Sequence, residues 1–243
     1  MLAYLFWHTP APTVARANYE RDLLAFSRAL ADLHCPGVRG ITSFRTSTVP
    51  WLDDPSGYED WATIDGSCAL ETLNEQAVSG RMAALHGAIA RQMGAGYGGI
   101  YYHLWGNMDP HVAERAQWLS RPRGIEFRPV LEGISRTAAA PVSVWRRFMV
   151  LGPGLEFVIL GDASLELRIP DGWAAHRVTE DRAELIRYAS TFAGLSVLLP
   201  NMFDQVAVAL LLLAGITFVY VIGIGQSYPH DRVDKKGRLD GRR

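Results

Sequence analysis

Residues 41–65, ITSFRTSTVPWLDDPSGYEDWATID, decide the fold. Two β segments follow one another here with no helix between them. The first, 41–49, reads as a strand with Thr-rich alternation, and YEDWATID at 58–65 as a second β segment. The turn formers of 50–57 separate them. Upstream lies a helix: Asn18 is a good N-cap, and Tyr19, Leu23, Phe26, Leu30 and Leu33 recur at helical spacing until Pro36-Gly37. Before that helix, residues 3–7 form a short apolar strand broken by Pro10 and Pro12. Downstream, Ser67 caps a helix carrying Leu70, Leu73, Ala77 and Val78, which runs to Met93 with a break near Ser79-Gly80. Residues 94–99, GAGYGG, read as a flexible connector, and 100–105 as a last strand. The order over residues 1–106 is β-α-β-β-α-β, the ferredoxin-like α+β arrangement, in which helices cover one face of an antiparallel sheet. The other face needs a cover.

Residues 107–180 are the candidate cover. A short strand at 116–119, a helix at 127–134, a hairpin of 144–151 with 156–160 around Gly152-Pro153-Gly154, and an edge strand at 165–170 form a shortened echo of the first unit. Two arrangements follow: two pseudo-equivalent sheets packed as a barrel-like pair, or one ferredoxin-like domain with a β-rich extension.

The remainder reads differently. Residues 206–225, VAVALLLLAGITFVYVIGIG, carry no charge over the length needed to cross a hydrocarbon core of roughly 30 Å. With the uncharged stretch that precedes it, this predicts a membrane segment over 186–225, either a helical hairpin (186–199 and 205–225) or an interfacial helix and one span. Gly215 and Gly223 lie about two turns apart and are candidates for helix packing. A basic tail, 226–243, follows. Residues 1–12 lack a basic leader and their apolar run stops at His8, so the globular part is expected in the cytoplasm, held at the cell membrane. Two cysteines, Cys35 and Cys68, form no metal pattern and read as reduced thiols. The net charge of −1 gives no nucleic-acid signal.

Several stretches carry a family resemblance. MLAYLFWHTPAP (1–12), the helix opened by Tyr19-Glu20, VPWL (49–52), GYEDW (57–61), LNEQAVSG (73–80), AALHGAI (83–89) and GGIYYHLWG (98–106) resemble an uncharacterised bacterial family of the dimeric α+β-barrel superfamily. WLSRPRGIEFRPVLEGI (118–134) and VWRRFMVLGPGLEFVI (144–159) resemble its second half. The resemblance covers about residues 1–178; the hydrophobic tail departs from it. It implies the fold. The wider superfamily holds small-molecule monooxygenases, haem-handling enzymes and pure ligand binders, so it implies no single reaction.

Candidate chemistry is dispersed. His8 follows the first strand, His86 is on the second helix, and His103 is in the last strand, with Tyr101 and His103 on one side and Tyr102 and Leu104 on the other. No histidine pair has metal-ligand spacing on a helix. Alternation puts Glu59 and Trp61 on one face, Tyr58 and Asp60 on the other. Arg121 and Arg128, with Arg123, are candidates to clamp an anion. Residues 94–99 precede a strand rather than a helix and lack phosphate-loop geometry.

These features predict a non-catalytic, membrane-tethered ligand-binding or accessory subunit, with membrane lipid, a membrane-protein partner and a small apolar ligand as its expected contacts. The cofactor stays unassigned. The alternative is an enzyme of the dimeric α+β-barrel type, resembling cofactor-independent monooxygenases. Its site would lie between the two sheets, with His86 or His103 as base, Tyr58 or Tyr102 as hydrogen-bond donor, and Glu59, Trp61, Arg121 and Arg128 binding the ligand.

Overall fold

A computed structural model describes residues 1–47, 49, 51–52, 57–126, 128–137, 141–150, 154–167 and 177–189. Its elements are β1 (Leu2–Pro10), α1 (Arg16–Ala31), β2 (Val38–Thr46), β3 (Tyr58–Ile64), α2 (Ser67–Val78), α3 (Met82–Gln92), β4 (Met93–Gly106), β5 (Arg115–Leu119), α4 (Arg128–Thr137), β6 (Ser143–Val150), β7 (Phe157–Gly161) and β8 (Arg177–Ala189). The strands close into a barrel in the order β1-β3-β2-β8-β5-β7-β6-β4, antiparallel throughout. The first unit runs β2-β3-β1-β4 and the second β6-β7-β5-β8, so both halves use one strand order. Their edges join at β2–β8 and β4–β6. Closure leaves neither sheet with an unpaired edge, the usual liability of a half-covered antiparallel sheet.

Alternation along each strand sorts the side chains. Ala3, Leu5 and Trp7 of β1, Phe44 of β2, Trp61 of β3, Tyr101 of β4, Trp118 of β5, Trp145 of β6 and Val158 and Leu160 of β7 fill the barrel. Outside, α1 and α3 lay Tyr19, Leu23 and Ile89 against Tyr58, and Leu30, Leu73 and Met82 pack on Ile41 and Ala62. Around the second half, Ile134 of α4 packs with Val144, Phe157 and Ile159. Trp7, Trp61, Trp118 and Trp145 are all fully buried. Truncating any one of them to alanine would cost about 3–5 kcal/mol, so the interior is a packed core.

Several expectations are corrected. Residues 94–99 are strand, because Tyr97 and its neighbours pair with β1 from Leu2↔Tyr102 to Thr9↔Ala95. The glycines there make room for rings: a Cβ at Gly96 would lie 2.8 Å from Phe6 and Met93, and one at Gly98 3.2 Å from the Tyr4 hydroxyl. Composition read that run as a loop; cross-strand packing decided otherwise. Helix α1 starts at Arg16 with Ala15 at its N-cap, and the Asn18 side chain accepts from Arg21 at 3.1 Å. The break expected near Ser79-Gly80 is present, and parts α2 from α3 at residues 79–81. Residues 165–167 are not strand. Residues 186–189, expected to open a membrane arm, belong to β8, whose paired backbone completes the barrel. Residues 190–243, including the 206–225 stretch, Gly215 and Gly223, lie outside the described residues.

Candidate functional site

The chain entering β1 and the chain leaving β4 meet at one mouth of the barrel. The loop between β4 and β5 folds over that mouth and inserts His111. Asp109 Oδ1 accepts from the His111 backbone N–H at 2.9 Å, which sets the turn. The imidazole then spans two strands, with Nδ1 2.7 Å from Thr42 Oγ1 and Nε2 2.8 Å from Thr63 Oγ1. Each hydroxyl can donate to one ring nitrogen or accept from the other, so a neutral ring satisfies both contacts. Burial pushes its pKa down to about 4; Asp109 opposes this, and Arg182 and Arg187 add to it.

Gly40 is the other requirement of this fit. A Cβ there would stand 2.7 Å from His111 Nε2. Gly40→Ala should therefore push the ring off Thr63 and destabilise the fold by roughly 1–3 kcal/mol. Denaturant unfolding reads this directly, and a midpoint equal to wild type would show that the ring is not held there.

His111 and His103 both line a cavity of about 430 Å³ at this mouth, together with Thr63, Met108, Ser143 and Arg187. The volume falls in the range of small-molecule sites. His103 packs edge-on against Trp145, with ring centroids 5.1 Å apart. Burial lowers its pKa, and the Gly106 and Trp105 carbonyls pull partway back. Burial thus favours the uncharged imidazole at both positions, and at about 4 His111 is too weak a base to take a proton near neutrality. Among the described residues no cluster of His, Cys, Asp or Glu could hold a metal ion.

Below the mouth, Glu59 is fully buried. Trp7 Nε1 donates to its Oε2 at 2.7 Å, and Trp61 Nε1 donates to Oε1. Arg182 Nε lies 3.1 Å from Oε1, with both side chains shut off from solvent. The guanidinium stacks on Phe44, 3.6 Å from the ring centroid, and Nη1 donates to the carbonyls of Ala113 (3.1 Å) and Pro110 (3.3 Å). Burial pushes the Glu59 carboxyl up, while Arg182 and the two indoles pull it back toward the ionised form. Arg182 thus links the His111 loop to the centre of the barrel.

The sequence-predicted residues divide between the two faces. Glu59, Trp61 and His103 belong to the barrel side. Tyr58 and Tyr102 point outward. The Tyr58 hydroxyl donates to Glu20 at 2.9 Å beneath α1, and its pKa is pushed up to about 12 by burial and that carboxylate. Tyr102 accepts from Arg146 at 3.2 Å. His86, on α3, packs near Phe26 at 6.1 Å, and burial lowers its pKa. None of these three lines the cavity that His103 lines. Arg121 lines a separate surface cavity of about 510 Å³, where its Nε reaches both Glu156 oxygens at 3.1 Å. Arg128 opens α4 and is exposed. His8, also outward, contacts Tyr19 at 2.6 Å and Asp60 at 3.2 Å and ties α1 to the sheet. Sequence reasoning missed Thr42, Thr63, His111 and Arg182. Asp109-Pro110 signals a turn before His111, but nothing local says that the turn folds into a barrel mouth.

The architecture is a closed eight-stranded α+β barrel with two ferredoxin-like halves in one chain. Among solved structures, the chain is similar to an anthrone oxidase-like protein, with TM-score 0.51 and 11% identity over 81% of this chain and 96% of that one. It is also similar to a monooxygenase-like protein of Fusobacterium nucleatum, with TM-score 0.51 and 7% identity over 77% and 94% of the two chains. Identities this low establish the fold alone. No family model and no curated protein matches. These findings correct the expectation of a non-catalytic, membrane-tethered accessory subunit. Solved structures that share the fold include oxidase- and monooxygenase-like proteins, and among the described residues no helix is long and apolar enough to cross a membrane.

Proposed function

We propose that this chain is a small-molecule enzyme of the cofactor-independent monooxygenase type, acting at the barrel mouth on an apolar aromatic substrate with an acidic C–H or phenolic O–H. The observation that carries this reading is the pairing of His103 and His111, two imidazoles kept uncharged by burial, on one cavity of about 430 Å³. The oxidase- and monooxygenase-like descriptions of the similar structures support it. His103 takes a proton from the substrate. The resulting anion reduces dioxygen and forms a carbon–oxygen bond, giving a peroxide. Loss of water from the peroxide leaves a carbonyl, so that an activated CH₂ and O₂ become C=O and H₂O. His111, tethered by two threonines, supplies a fixed neutral hydrogen-bonding wall beside Thr63.

Substrate-dependent oxygen uptake on hydroxylated anthrones tests the proposal. The base must be proton-free to act, and burial lowers its pKa from the ordinary 6.5. Activity should therefore hold as pH falls through 6.5 and decline only in more acid solution. Absence of uptake across hydroxylated anthrones, naphthols and related phenols would remove the reading, and a decline centred above pH 6.5 would remove His103 as its base.

A further inference from the structure

Five tryptophans lie along the barrel interior in two groups, Trp145 with Trp61 and Trp7 with Trp51 and Trp118, bridged by one carboxylate. From the mouth cavity, His103 is 5.1 Å from Trp145, and Trp145 is 5.5 Å from Trp61, centroid to centroid. Trp61 and Trp7 donate to the same carboxylate, Glu59. Trp7 is then 4.9 Å from Trp51 and 5.5 Å from Trp118, and those two are 5.1 Å apart. Trp51 belongs to the loop joining β2 to β3, at the end of the barrel opposite Met1. Within each group the rings are in edge contact, close enough for an electron to pass, because tunnelling decays with the gap between ring edges; between Trp61 and Trp7 the path crosses the Glu59 carboxylate to which both indoles donate. Indole is also the most easily oxidised side chain present besides tyrosine and the thiols.

We propose that this series is a redox relay that carries one-electron oxidation between the mouth cavity and Trp51, in either direction because its members are all indoles. The proposal rests on the oxygen-activating reading for its oxidant, an organic peroxyl radical escaping the main reaction. That radical takes an electron from Trp145 and a proton from solvent and becomes a hydroperoxide. Trp61 refills Trp145, Trp7 refills Trp61, and Trp51 refills Trp7. A small thiol outside the far mouth refills Trp51 and leaves as a thiyl radical and a proton. The balance is one peroxyl radical and one thiol converted to one hydroperoxide and one thiyl radical. Glu59 makes the middle of the relay workable. Its charge offsets Arg182, whose guanidinium carbon is 5.3 Å from the Trp61 ring and would otherwise oppose a positive charge there. Either indole can also pass its N–H proton to that carboxylate while oxidised. Trp145 has its own proton acceptor, Ser143 Oγ, at 2.7 Å.

The test supplies the oxidant itself, so it does not depend on the enzyme reaction. Photogenerated ruthenium(III) tris-bipyridine is too bulky to enter the mouth cavity. It is applied to the full chain in a Trp105→Phe background, because Trp105 is the indole exposed beside that mouth. Peptide mass spectrometry then reads oxygenation of Trp145, which has no exposure of its own. The expected result is that Trp145 is oxidised, and that Trp51→Phe or Trp61→Phe lowers its oxidation by an order of magnitude. Trp51→Phe is the safer variant, because the Trp51 indole N–H is buried with no acceptor among the described residues. Trp145 oxidation that is absent, or unchanged in a folded Trp51→Phe protein, overturns the relay. Oxygen uptake measured on the same preparations separates that failure from a failure of the enzyme reading.

Discussion

Arg182→Met should cost the fold roughly 3–5 kcal/mol, because it strands a carboxylate in the middle of a tryptophan-lined barrel. Two indole N–H groups and a guanidinium converge on the Glu59 oxygens, and all three only donate. Without the guanidinium, Glu59 must either stay charged in an apolar interior or pick up a proton. The protonated form has an O–H facing donors rather than acceptors. Methionine fills much of the lost volume, so the loss is electrostatic more than steric. Urea unfolding should show a lower midpoint with an unchanged slope. Glu59→Gln added to Arg182→Met should recover part of the loss, since the amide oxygen still accepts from an indole and no charge remains. A single-variant cost under about 1 kcal/mol would mean that water reaches the pair.

His103→Gln should lower turnover by about 10²–10⁴, the usual worth of a positioned base. Glutamine keeps the polarity and much of the shape but cannot take up a proton near neutrality. KM should change little, because substrate is held by the apolar walls of the cavity rather than by this ring. Tyr102→Phe, on the opposite face of the same strand, should leave turnover unaltered. A His103→Gln protein with wild-type oxygen uptake and an intact fold would exclude His103 as the base.

Much of the fold was legible from local patterning. Two consecutive β segments between helices, with YEDWATID as the second, were enough to fix the first unit and to put Glu59 and Trp61 on one face. The second unit's hairpin was equally plain, because two apolar-rich segments, 144–151 and 156–160, flank Gly152-Pro153-Gly154 in the sequence, and β6 pairs with β7. Three elements misled. The glycines at 94–99 look like loop formers, and only the rings of Tyr4 and Phe6 lying over them explain a strand there. Strand β8 carries Arg182, Glu184 and Arg187 in a charge-rich run with no apolar alternation. Its place is set by closing the barrel between β2 and β5. The start of the apolar tail was joined to it by hydropathy, which is blind to backbone pairing.

The site was half legible for a related reason. A buried histidine, carboxylate or arginine has the same sequence appearance as an exposed one. Its role depends on what long-range pairing brings within a few ångströms. Thr42, Thr63 and His111 are separated by 21 and 48 residues in sequence and meet only because three segments converge at one mouth. What the sequence by itself determined is the ferredoxin-like first unit and the side-chain faces of its strands, because periodicity and turn chemistry are local. Closure of the barrel, burial of the Glu59–Arg182 pair and convergence of two histidines on one cavity were decided only in the tertiary structure. Those depend on contacts across the chain, and on the loss of water that turns ordinary polar residues into neutral bases and locked ion pairs.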